Sequence, residues 1–247
     1  GETIILFHGK NFCGAYWKRV IKDLTANGYS VVVPDQIGFG KSSKPETFQY
    51  SLHQLAQNTK SLLDSLNVKQ TNVIGHSMGG MLAVRFALVY KDMVPKLILE
   101  DPIGLEDWKR KVPYQTIDQW YQREMKTTEQ SIREYQKKNY YHGEWKSEYE
   151  PWVQLLYRWT LSPDFPRIAW NSALTYDMVF TQPVLYEFPD VRTKTLLIIA
   201  HRPSTVRHCN RLVFVQDGRV RATGPDEEIL RQEPQPHSEV TRRSGLG

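Results

Sequence analysis

Cysteine is scarce in this chain, with two residues, Cys13 and Cys209, among 247. A pair so widely spaced fits no metal-ligand pattern and no disulfide framework, so both read as free, buried thiols and no metal or cofactor site is expected. Long apolar runs are missing too. None approaches the roughly 18 residues that a membrane-spanning helix needs. Nor does one sign of charge dominate: 32 Lys and Arg stand against 27 Asp and Glu, for a net charge of +5. The two signs are interspersed, which leaves no basic stripe of the kind that binds nucleic acid. Lysine is unevenly placed. Residues 1–200 hold sixteen Lys and eight Arg, whereas 201–247 hold eight Arg and no Lys. A random draw gives that split about once in a thousand times, which marks a composition boundary near residue 200. The chain enters a strand pattern at Thr3 with almost no lead-in, which reads as a clipped start. A leader upstream stays open, and the cytoplasm is the default compartment. Composition says nothing of oligomeric state.

What is present is an ordinary globular composition, long enough for one large α/β domain with an insertion. "TIILFHG" and "SVVVPD" are short, β-branched buried strands. Between them Trp17, Val20, Ile21 and Leu24 recur at helical spacing. Leu52, Leu55, Leu62, Leu63 and Leu66 mark a second helix, "TNVIGH" a third strand, residues 78–90 a helix, and "KLILED" a fourth strand. Such alternation predicts a mostly parallel sheet with helices on both faces. From Ile103 to Asp190 it stops. That stretch holds six of the seven Trp and nine of the thirteen Tyr. It reads as a helical cap whose aromatics form its own core and also line a pocket. "TKTLLIIA" then returns to a buried strand.

The stretch "NVIGHSMGG" carries the chemistry. A G-x-S-x-G pattern is only moderately specific alone, but here a strand precedes it and a helix follows it at once. A serine on that sharp turn needs small neighbours, and the following helix aims its N-terminal amides at charge developing beside Ser77. The bland alternative is a serine that merely caps a helix. "DQIGFGKSS" invites a phosphate-loop reading, but Asp35 stands where that motif needs glycine and would repel phosphate.

"HGKNFCGAYW", "PDQIGFGKSSKP", "GHSMGG" and "LILEDPIGLEDW", in that order and followed by a helical cap, resemble the α/β-hydrolase superfamily over residues 1–200. The resemblance implies hydrolysis of an ester or related acyl bond by a Ser-His-acid triad. Ser77 is the implied nucleophile, and the amides of Met78 and Lys10 are the implied oxyanion donors. It also implies an acid after "TLLIIA" and a histidine one strand later. Here the acid's place falls on Pro203, and no "GH" phrase follows. Asp101 is an alternative acid, since some members of the superfamily place one after that strand. His201 is a surrogate base. His8 belongs to the "HG" turn, His76 points away from Ser77, His53 opens a surface helix, and His142 lies in the cap.

From about residue 196 to 232, "LIIAHRPSTVRHCNRLVFVQDGRVRATGPDEEIL" resembles the end of an ATP-binding-cassette transporter's nucleotide-binding domain. "LVFVQDGRVRATG" forms a D-G hairpin there, and "GPDEEIL" opens a helix. The phosphate loop and signature of that domain are absent, which argues against ATP binding. "RLVFV" is also apolar enough to extend the hydrolase sheet.

The expected organisation is a hydrolase core over 1–102, a lid over 103–190, a returning strand over 191–200, a foreign hairpin and helix over 201–232, and a disordered tail over 233–247. The expected function is serine hydrolysis of an apolar small molecule, impaired by the missing triad members. The alternatives are an inactive protein that binds an apolar ligand and, least favoured, an ATP-binding fragment.

Overall fold

The computed structural model describes residues 1–141, 143–198, 212–216 and 219–225. The chain divides into two compact units, Gly1–Ile198 and Ile199–Gly247. In the first, β1 (Thr3–Phe7), β2 (Ser30–Val32), β3 (Asn72–His76), β4 (Lys96–Glu100) and β5 (Lys194–Ile198) form a parallel sheet in the order β2-β1-β3-β4-β5. Between them run α1 (Lys18–Ala26), α2 (Leu52–Ser65) and α3 (Met78–Val89).

The β-branched run of β1 explains why both faces need cover. Ile5 and Phe7 join the core that α2 and α3 build with Leu97 and Leu99 of β4, while Ile4 and Leu6 pack on the other face with Trp17 and Val20, Ile21 and Leu24 of α1. Alternate side chains of one strand thus enter two cores. The fold is the expected α/β architecture.

Between β4 and β5 lie four cap helices, α4 (Ile117–Glu124), α5 (Glu129–Tyr140), α6 (Glu150–Thr160) and α7 (Phe165–Thr181). Two of them start at threonines. Thr116 and Thr128 each accept a bond from the backbone three residues on, and Gln119 and Ser131 return it. The stack of Trp120 on Tyr176, with centroids 4.2 Å apart, joins α4 to α7. Arg133 on α5 reaches Glu150 on α6 at 2.6 Å. Of the cap's Trp and Tyr only Trp120 is buried among the described residues, and Tyr114, Tyr135 and Tyr186 are exposed, so these aromatics supply a small part of the cap's own core. In the second unit, β6 (Leu212–Gln216) and β7 (Arg219–Gly224) pair antiparallel with each other. Among the described residues the five-stranded sheet ends at β5, without "RLVFV". The turn between β6 and β7, and the expected helix after Gly224, lie outside the described residues.

Candidate active site

Chain order sets the place of the site. From β1 the chain moves to β2 on one side, then crosses to β3 on the other, so the strand order reverses between β1 and β3. Loops at the carboxyl ends of such neighbouring strands border a crevice. They are His8–Phe12 and His76–Ser77.

Ser77 sits between β3 and α3 with φ 54° and ψ −119°, backbone space that non-glycine residues occupy at a cost of about 1–3 kcal/mol. Its surroundings hold it there. The Ser77 N–H donates to the Glu100 carbonyl at 3.1 Å, and the Ser77 carbonyl accepts from the N–H groups of Gly80 (2.9 Å) and Ile103 (3.2 Å). The turn also needs its glycines. A Cβ at Gly79 would lie 2.2 Å from the Phe7 carbonyl oxygen, and one at Gly75 would lie 2.3 Å from the Gly79 carbonyl oxygen. Met78 opens α3 and is fully buried. Gly9, after β1, lies against this turn: a Cβ there would stand 3.1 Å from Ser77 Cβ. The structure therefore brings Ser77, Met78 and the Gly9–Lys10 loop together.

The histidines divide by their partners. His8 is buried, its Nδ1–H donating to the Gly9 carbonyl at 2.8 Å and its Nε2 accepting the Gln36 N–H at 2.9 Å. Both nitrogens are thus committed to the backbone. Burial lowers its pKa, against smaller opposing effects of the Gly9 bond and Asp35. The His76 ring packs edge-on against Phe12 and Trp17, with centroids at 5.1 and 6.4 Å. Burial also depresses its pKa, although Glu100 and Asp101 pull upward. His53 is exposed on α2. Among the described residues no side chain hydrogen-bonds the Ser77 hydroxyl. His142, His201 and Pro203 lie outside the described residues. Asp101 is exposed, at φ 41°, and its N–H donates to the Ile198 carbonyl at 2.8 Å. It is two residues from Ile103, which bonds Ser77, but its carboxylate has no described link to the serine.

Lys10 holds more than sequence reasoning drew from it. Its side chain is 8% exposed, and Nζ donates to Ser172 Oγ at 2.7 Å, lies 3.4 Å from Glu124 Oε1, and sits 3.4 Å above the Tyr176 ring. The residue that follows Gly9 is thus gripped by α4 and α7 of the cap. Asp35 is a second residue with a structural task. Its Oδ1 accepts the Gly14 N–H at 2.6 Å and its Oδ2 the Lys41 N–H at 2.7 Å, which shapes the "DQIGFGKSS" loop. The Lys10 contacts carry no local signature, since Glu124 and Ser172 are remote in sequence.

A cavity of about 390 Å³ lies between this loop system and the cap. Phe12, Tyr16, Ile132, Leu156, Trp159 and Phe165 give it apolar walls, and Lys10, Lys44, Gln136, Ser172 and Tyr176 also face it. Cys13 is a free thiol in the same wall, and burial raises its pKa, which keeps it protonated. Cys209 lies outside the described residues. No group of metal-ligating side chains occurs among the described residues, and no described helix is long and apolar enough to cross a membrane.

With this geometry in view, comparison with known proteins is informative. A family described as the alpha/beta hydrolase fold matches residues 2–144, and the chain belongs to it. A structure from Pseudomonas aeruginosa PAO1, described as a probable hydrolytic enzyme, is 52% identical with a TM-score of 0.79, over 81% of this chain and 64% of that one. The 2-hydroxy-6-oxo-6-phenylhexa-2,4-dienoate hydrolase of Burkholderia cepacia is 33% identical over 108 residues, 42% of this chain and 38% of that enzyme. An esterase from Exiguobacterium antarcticum shares the fold at 19% identity and a TM-score of 0.65, over 80% of this chain and 72% of its own. The chain thus spans less than two thirds of the Pseudomonas and Burkholderia proteins.

Proposed function

We propose that this is a serine hydrolase acting on an ester or related acyl bond of a small molecule, with its turnover impaired within these 247 residues. Ser77 attacks the carbonyl carbon, and the amides of Met78 and Lys10 receive the oxyanion as the carbonyl oxygen gains charge. The strained, multiply bonded backbone of Ser77, set against Gly9, is the observation that carries the reading. Attack requires a base to take the hydroxyl proton, and an acid to orient that base. Sequence supplies neither at its usual position: the acid's place is Pro203, and no histidine follows in a "GH" turn. Asp101 and His201 are the candidates for a surrogate acid and base, and the proposal takes neither to be an effective replacement. Without an effective base, only the small rate due to the oxyanion donors and binding is left.

A fluorophosphonate probe tests this directly. Slow labelling that Ser77→Ala abolishes and His201→Ala leaves unchanged is expected. Labelling lost in both variants would identify His201 as a working base and overturn the impairment. No labelling of the native chain even at long times, together with saturable ligand binding, would instead favour a second reading, a hydrolase-fold protein that binds without turnover. The cavity, and the lack of a side-chain partner for the Ser77 hydroxyl among the described residues, support that alternative.

The proposal also treats residue 200 as a junction, with the following segment derived from an ATP-binding-cassette-like chain. ATP or ADP should leave the melting temperature unchanged. A nucleotide-specific rise would revive ATP binding.

A further inference from the structure

The cavity under the cap is not uniformly apolar, and its charge is unevenly compensated. Lys10 has Glu124 as a carboxylate partner. Lys44 lines the same cavity and, among the described residues, forms an ion pair with no carboxylate. Its Nζ donates to the carbonyls of Gly40 and Ser42, both at 2.7 Å, and stands 5.3 Å from the centre of the Trp159 ring. An ammonium has three hydrogens, so these two bonds fix its position and leave one donor. Asp164 and Asp35 act on it through space and raise its pKa, but burial outweighs them and the net direction is down. The two Asp35 oxygens are already engaged by Gly14 and Lys41. Arg123 and Lys126, exposed and without ion-pair partners among the described residues, add positive charge at the rim.

A wholly apolar ligand would bury Lys44 further, and a charge removed from water without a partner is costly.

The geometry points to an amphiphilic carboxylic acid derivative as the ligand: its carboxylate on Lys44, its apolar chain along Trp159, Phe165 and Ile168, and its acyl carbonyl toward Lys10 and Ser77. Lys44 stands 5.3 Å from the Trp159 ring of α6 and Lys10 bonds Ser172 of α7, and all four residues line the one cavity. A monoanion suits one remaining donor and one unpaired charge. Only the direction of the carbonyl end rests on Ser77 as the point of attack; the carboxylate contact does not need the serine.

Monomethyl sebacate, with a carboxylate at one end and a methyl ester at the other, is a suitable probe against its neutral partner, dimethyl sebacate. Calorimetric titration of the full chain carrying Ser77→Ala removes turnover from the measurement. The monoester is expected to bind at least tenfold more tightly than the diester. Lys44→Met should erase that preference while leaving diester binding alone, and Lys44→Arg should restore most of it. Equal affinity for the two probes, or a preference that survives Lys44→Met, overturns the proposal. Melting curves identify a variant that has failed to fold, and the Lys44→Arg arm together with the native monoester-to-diester ratio then decides the question. Fluorophosphonate labelling of Ser77 is a separate readout, so failure of the carboxylate site and failure of the hydrolase reading give different results.

Discussion

At the scale of single residues, the site is defined by backbone more than by side chains. Ser77 keeps its unusual conformation because three backbone bonds and two side-chain-free neighbours leave no alternative. Gly79→Ala should therefore cost about 1–3 kcal/mol in urea unfolding, since the new methyl meets a strand carbonyl rather than a movable side chain. The buried histidines set a pH dependence. Burial lowers the pKa of both His8 and His76 in the folded chain, so the unfolded chain binds protons more readily near its own value of about 6.5. Their contribution to stability is thus complete above that value and lost as pH falls below it. The melting temperature should decline from pH 7 toward pH 5, and His8→Gln should flatten the decline even if it lowers the starting value. An unchanged slope would remove His8 from this account.

At the scale of elements, ion pairs and exposed strands differ from what their number suggests. Arg133 pairs with Glu129 and Glu150 at 2.6 Å each, yet it is 30% exposed. Solvent screening of that kind predicts a loss below about 1 kcal/mol for Arg133→Ala in thermal or urea unfolding. Strand β5 is the more consequential element. Leu196 and Ile198 are 52% and 48% exposed on one face, where a parallel sheet ordinarily has helical cover. Lys at both positions should raise the monomer fraction in size-exclusion chromatography without lowering the melting temperature. The core elements were legible from periodicity: β-branched runs mark β1, β3 and β4, and leucine spacing marks α2, whereas the cap was legible only as a helical stretch. The open face of β5 was not legible, because an apolar run reads as buried whether or not anything covers it.

At the scale of the molecule, the legible part of the site was the turn around Ser77, whose signal is confined to a few adjacent residues. The cap's aromatics pointed to a pocket, and Tyr140, Trp159 and Tyr176 line it, but its charged members were not legible. Lys10 meets Glu124 and Ser172 across 114 and 162 residues of sequence, and Lys44 meets Trp159 across a comparable span. No local pattern records such meetings. The double duty of Lys10 has a practical consequence. It follows Gly9, which borders the serine, while its ammonium is anchored between α4 and α7, so the cap and the core are not interchangeable modules. Grafting another relative's cap here would release that anchor and let the turn after β1 relax. Engineers who swap caps to change selectivity should then see faster amide hydrogen exchange at residues 10–12, even where no transplanted side chain touches them.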